Sequence, residues 1–238
     1  MIVTYTEEGW SIVLQRSHGL LAGQLCAHWK KDKQPARWVE TLVATTEHDD
    51  VHNELESEDL LNEHGGPKNF KSDKFNAEDC NRLLARAVEK GRYVALLICR
   101  HISFLYASDP KAKAYCKRLK EMEKEWIRQA GATSGEISES YELLEFCDAM
   151  SLLICQGMQQ PEHRRIEISN GPDGMRYTMW EAENQQLVVS PWPFEHDSIT
   201  VNYETRQVQQ LSFRDAAEFR KALGEAEVKL HALTIVKG

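Results

Sequence analysis

Long apolar runs are missing from this 238-residue chain. A membrane-spanning helix needs about 20 predominantly apolar residues in succession, and no stretch reaches that. No leader is expected either, because Met1-Ile2-Val3-Thr4-Tyr5-Thr6-Glu7-Glu8 has neither a basic head nor an apolar run. A surplus of positive charge is also absent. The formal charge of −8 and pI near 5.6 exclude a general nucleic-acid or membrane-surface binder from the expected classes, and an anionic substrate then needs local help from a cation or a few arginines. Closely spaced cysteine pairs are the third absence. Cys26, Cys80, Cys99, Cys116, Cys147 and Cys155 form no C-x-x-C motif, and Cys26, Cys99, Cys147 and Cys155 sit in apolar helical contexts. Buried free thiols in a reducing cytoplasm explain them better than zinc fingers or disulfides.

What is present suffices for a core. With 42% apolar and 28% charged residues, the chain can form one large domain, or one domain plus a smaller one, without extra staples. Residues 1–5 and 10–14 flank a Glu7-Glu8-Gly9 turn and predict a hairpin. From about residue 16 to 156 the apolar period is helical, predicting helices near 16–31, 35–50, 76–90, 92–107, 110–130 and 138–157. Residues 62–74, with Gly65-Gly66-Pro67, read as the longest loop. After Pro161 the pattern changes to short β-rich runs at 164–169, 175–181, 187–190 and 198–203, then a helix near 212–223 and a strand near 228–236. The early hairpin has too few strands to stand alone and is expected to join this late sheet. The expected architecture is mainly α: a helical domain over 15–160, and a small β-rich domain from 1–14 plus 161–238. Trp192 and Phe194 in Pro191-Trp192-Pro193-Phe194 read as cover where sheet meets helices, with a partner surface as the alternative.

Four predicted helices carry a polar residue on an apolar face. His18 aligns with Leu21, Ala22, Leu25 and Trp29; Asp49 follows Trp38 and Leu42; His101 lies among Val94, Leu97, Ile98 and Leu105; Asp148 lies on the line of Tyr141, Leu144, Leu152 and Cys155. A lone histidine in such a place is more often hydrogen-bonded core, and Asp148 could equally pair with an arginine. Two aspartates are harder to explain this way, because a buried carboxylate needs a partner. The simplest common partner of all four is a divalent metal.

His18, then His48-Asp49 near the end of a second helix, then Asp148 within Leu143-Leu144-Glu145-Phe146-Cys147-Asp148-Ala149-Met150-Ser151, resembles the H…HD…D signature of the HD-domain superfamily over about residues 16–155. Over its whole length the chain is similar to the family called domain of unknown function 3891. That resemblance rests on Gln15-Arg16-Ser17-His18, His48-Asp49-Asp50, His101 to Tyr106, Cys147 to Leu152 and Pro191 to Phe194. The HD resemblance implies a helical bundle in which His18, His48, Asp49 and Asp148 hold one ion, with His101 as a further ligand where two metals are bound. It also implies a metal-dependent phosphohydrolase with a small phosphorylated substrate. Between His48-Asp49 and His101 only His52 and His64 are available. His64 is the further candidate ligand, and His52 reads as a surface residue beside the site. The lysine that several signalling phosphodiesterases carry after the HD pair is absent.

Mixed histidine and carboxylate donors fit one or two ions of Mn, Fe, Co, Ni or Zn. Asp49 and Asp50 are the candidate catalytic carboxylates, and Glu47 and Asp50 could orient histidine N–H groups, although a solvated helix end is the plainer reading. Arg16 and Arg100 are candidate phosphate holders, with ordinary surface arginines as the alternative. Two other readings stay open: a di-iron oxygenase of the HD type, for which His101 and His64 speak, and a non-catalytic metal-binding or interaction protein.

Overall fold

A computed structural model describes residues 1–161, 164–182 and 185–238. The order is β1 (Ile2–Thr6), β2 (Gly9–Val13), α1 (Gln15–Ala27), α2 (Trp38–Glu47), α3 (Ala77–Lys90), α4 (Arg92–Leu105), α5 (Lys113–Ala130), α6 (Ser134–Cys155), β3 (Ile166–Asn170), β4 (Arg176–Glu181), β5 (Leu187–Ser190), β6 (Ser198–Val208), α7 (Ala216–Glu225) and β7 (Glu227–Lys237). The strands form one seven-stranded sheet in the order β1-β2-β6-β7-β5-β4-β3. Only β5 and β7 run parallel; the other neighbours are antiparallel.

This corrects the expected fold class. The protein is α/β, with 47% of residues helical and 22% in a mixed, curled sheet, and not a mainly α protein with a small β domain. The reason lies in β6. Its pattern reads as ending at Tyr203, because Glu204-Thr205-Arg206-Gln207 is polar, yet the strand continues to Val208. With the extension β6 pairs with β7 along ten registers and accepts β2 at Ile12 opposite Arg206. Short runs that look minor one by one thus add up to a single sheet.

Period-two alternation lays one face of the sheet on the helices and buries the other only in part. Val13, Met179, Val189, Val201 and Ile235 belong to a cluster with Leu21 and Leu25 of α1 and Phe146, Met150 and Ile154 of α6. On the other face, Ile12 and Val208 pack with Leu60 and with Phe219 and Leu223 of α7. Phe146 is the joint between layers, its ring 5.3 Å from Trp29 and 4.9 Å from Tyr177. Trp192 and Phe194 are buried in the same cluster, where Phe194 also bridges to Trp29. A second cluster joins α3, α4, α5 and α6 through Leu83, Leu97, Leu119 and Leu144. All six cysteines are free thiols, and five are buried. Among the described residues, no helix is long and apolar enough to cross a membrane.

Helix ends follow local chemistry. α6 begins four residues before the position its apolar period indicates, because Thr133 and Glu136 form a reciprocal capping box ahead of Ile137. α3 starts on Asn76, whose side chain accepts from Glu78 and Asp79 N–H. α2 ends at Glu47, so His48 is its cap and Asp49 lies in the turn beyond.

Candidate metal centre

Four elements bring the anomalous polar residues together. α1 supplies His18, the end of α2 supplies His48 and Asp49, α4 supplies His101 and α6 supplies Asp148. His18, His48 and His101 are almost wholly buried, and Asp148 nearly so. The His18 and His48 Nε2 atoms are 3.1 Å apart, and Asp148 Oδ1 lies 3.1 Å from the first and 3.2 Å from the second. Asp49 Oδ2 is 3.7 Å from both.

The close approach of α1 and α2 depends on two glycines. A Cβ at Gly19 would stand 2.5 Å from the Thr46 carbonyl oxygen, and one at Gly23 would stand 2.2 Å from Thr46 Oγ1. Gly19→Ala meets backbone, which cannot swing aside as a side chain can. It is therefore expected to push the helices apart at a cost of about 1–3 kcal/mol and to weaken metal binding. Thermal unfolding and a metal titration on the same sample check both effects; unchanged values in both would refute the role given to this contact.

Hydrogen bonds behind the rings fix what the ring nitrogens offer. His48 Nδ1 is 2.7 Å from the Thr45 carbonyl, which can only accept, so Nδ1 carries the hydrogen. Ser151 donates to the Asp148 carbonyl at 2.9 Å and accepts from His18 Nδ1 at 2.7 Å. Both Nε2 atoms are then left with lone pairs aimed at one another and at a carboxylate oxygen. Three acceptors converge only around a cation, either a proton or a metal ion. Two ligands at about 2.1 Å from one ion and at a right angle stand about 3 Å apart, so the observed spacings suit a shared ion.

Electrostatics describe the same competition. Burial opposes charge on His48, but Asp148 and Asp49 outweigh it and push the imidazole up to about 9. Burial raises the two aspartates, and the surrounding histidines overcome that, holding Asp49 low and Asp148 well below the usual range. His101 goes the other way: burial, then the charge on His48, bring it down to about 4. Neither of its ring nitrogens has a hydrogen-bond partner among the described residues, and the neighbouring Tyr141 hydroxyl is equally buried and unpartnered. His101 Nε2 is 4.0 Å from Asp49 Oδ1. Geometrically, His18, His48 and Asp49 form one possible ligand group, and His48, His101 and Asp148 another.

Other candidates lie apart from these groups. The Asp50 carboxylate pairs with Arg16 at 3.1 Å and Arg86 at 3.0 Å, and both arginines also bond its carbonyl. Asp50 therefore tethers the turn after α2 to α1 and α3. Glu47 pairs with Lys90, and Arg100 is taken up by Glu123 and Ser138. His64 is 83% exposed beside Glu63, in neither ligand group. His52 lines a cleft that opens at Asp49.

Sequence alone assigns no role to Gln15, Thr45 or Ser151. Gln15 Nε2 holds Asp49 Oδ2 at 2.8 Å. Each of these three residues lies three positions from a candidate ligand in sequence, the spacing that puts side chains on one helix face. A polar residue at that offset was the available signal.

Comparison with known proteins gives one family. The family described as Protein of unknown function (DUF3891) matches residues 1–210. No curated protein and no solved structure matches the chain, so the HD-domain resemblance gains no homologue or fold to support it.

Proposed function

The chain belongs to the DUF3891 family, and for it we propose a metal-dependent phosphohydrolase activity on a small phosphorylated molecule. The observation that carries this reading is the convergence of two imidazole lone pairs and the Asp148 carboxylate within 3.2 Å, next to Asp49, which lines a cleft. His18, His48, Asp49 and Asp148 would hold a transition-metal dication, with His101 beside them. Such an ion supplies positive charge for a phosphoryl oxygen and acidifies water.

The chain's own groups divide the remaining work. Asp49 is the ligand on the cleft wall, with its side chain 16% exposed. Gln15 aims one of its oxygens, which leaves the other free to orient a water or take its proton. Ser151 and the Thr45 carbonyl keep the imidazoles in the ligating tautomer. The cluster behind them, including Leu21 and Met150, keeps water out from the rear.

Purified protein is expected to carry close to one equivalent of Mn, Fe, Co, Ni or Zn and to release phosphate from a panel of phosphomonoesters. A chain that stays metal-free and inactive after these ions are added would sink the proposal. Two irons per chain with a mixed-valence paramagnetic signal would instead favour the oxygenase reading.

Metal uptake is expected to depend on pH. His48 in the metal-free chain is raised to about 9, so at pH 7 it holds a proton that the ion must displace. Apparent affinity therefore rises with pH, by roughly tenfold per unit for one displaced proton, and levels off near 9. Competition with a chelator at pH 6, 7 and 8 reads this slope, and a flat profile would contradict it.

A further inference from the structure

The cleft that opens at Asp49 encloses about 880 Å³, within the range of small-molecule sites and much larger than a phosphate ion. Its walls are α3, α4 and the long segment between α2 and α3. One side is apolar and aromatic. Phe75 and Tyr106 meet edge to face at 5.2 Å, with Ile102 and Leu83 beside them. α4 thus presents His101 to the metal centre, and it and its cap Tyr106 give Ile102 and the Tyr106 ring to the cleft.

The charged side is nearly self-compensated. Six carboxylates and four cationic side chains line the cleft. Lys68 lies between Asp59 at 2.5 Å and Asp73 at 3.5 Å, Arg82 pairs with Asp79, and Arg86 with Asp50. Among the described residues, Lys74 is the one lining cation with no carboxylate in ion-pair distance. A chain of phosphates would bring several negative charges against this acidic wall with one spare cation to meet them. One phosphoryl group could instead be served by the metal centre, and a flat uncharged group by Phe75 and Tyr106.

We propose that this cleft selects phosphomonoesters of an uncharged aromatic or similarly flat organic group, with the phosphoryl end at Asp49 and the ring against Phe75 and Tyr106, and that it discriminates against polyphosphates. This rests on the phosphohydrolase reading for the direction in which the ligand lies.

Calorimetry on the manganese-loaded full chain tests it with phenylphosphonate and methylphosphonate, neither of which can be hydrolysed as an ester. Phenylphosphonate is expected to bind at least tenfold tighter. Phe75→Ala, with Phe75→Leu as a milder variant, is expected to remove most of that difference while methylphosphonate binding stays the same. With manganese in excess, adenosine monophosphate is expected to bind at least tenfold tighter than adenosine triphosphate. Equal affinity for the two phosphonates, equal weakening of both by Phe75→Leu, or preference for the triphosphate would each overturn the proposal. Phe75-dependent binding of phenylphosphonate by a chain that turns over no phosphoester would count for the cleft's preference and against the phosphohydrolase reading.

Discussion

His48→Ala is expected to strip the chain of its metal. Elemental analysis of variant and parent, purified side by side with added manganese or zinc, should fall from about one ion per chain to less than a tenth. The expected loss of affinity exceeds the roughly 10–100-fold that removal of an outer partner of a ligand costs, because His48 belongs to both possible ligand groups. Phosphate release, where the parent shows it, should fall with occupancy. Retained metal in the folded variant would mean that the ion sits elsewhere. Because His48 is fully buried between Asp148 and His18, its removal also threatens the fold. Ser151→Ala is the gentler probe: it removes the acceptor that holds His18 Nδ1 and should lower affinity by about 10–100-fold with the fold intact.

Phe146→Ala should cause the largest loss of stability. The ring is completely buried on α6, between Trp29 after α1 and Tyr177 on β4. Large-to-small changes at such aromatic positions cost about 3–5 kcal/mol, through lost transfer energy and the cavity left behind. Chemical denaturation should show a lower midpoint. A loss below about 1 kcal/mol would mean that helices and sheet are not cemented at this ring. Asp148 lies two residues further along α6, so metal affinity should fall as well.

The centre was more legible in the sequence than the fold. His18, Asp49, His101 and Asp148 each interrupt an apolar helical stripe, and a buried charge advertises itself by that interruption, whereas His48 is marked only by its place beside Asp49. Asp50 and His64 carried no such signal. Asp50 lies off the stripe and answers to Arg16 and Arg86, whose positions depend on how α1 and α3 pack. His64 lies in a loop, where periodicity says nothing. Helix ends follow from period and caps to within four residues, and the Thr133 capping box accounts for the early start of α6. Fold class was misjudged because sheet membership is a pairing property. Glu204 to Gln207 look like loop until Leu230, Lys229, Val228 and Glu227 lie opposite them. The Asp49 cleft is equally hidden, since its walls come from segments between Met1 and Tyr106 that no local pattern links.

The order of strands also has a temporal side. Ile12 on β2 pairs with Arg206 on β6, 194 positions later in the chain. Ribosomes add about 5–20 residues per second, so the first hairpin waits roughly 10–40 seconds during synthesis for the strand that completes it. Throughout that interval one edge of β2 offers unpaired backbone groups, and Ile12 and Val13 lack their late partners on both faces. Such an edge invites pairing with another nascent chain. That exposure ends only when β6 arrives, and until then α1 and α6 have no sheet to rest on.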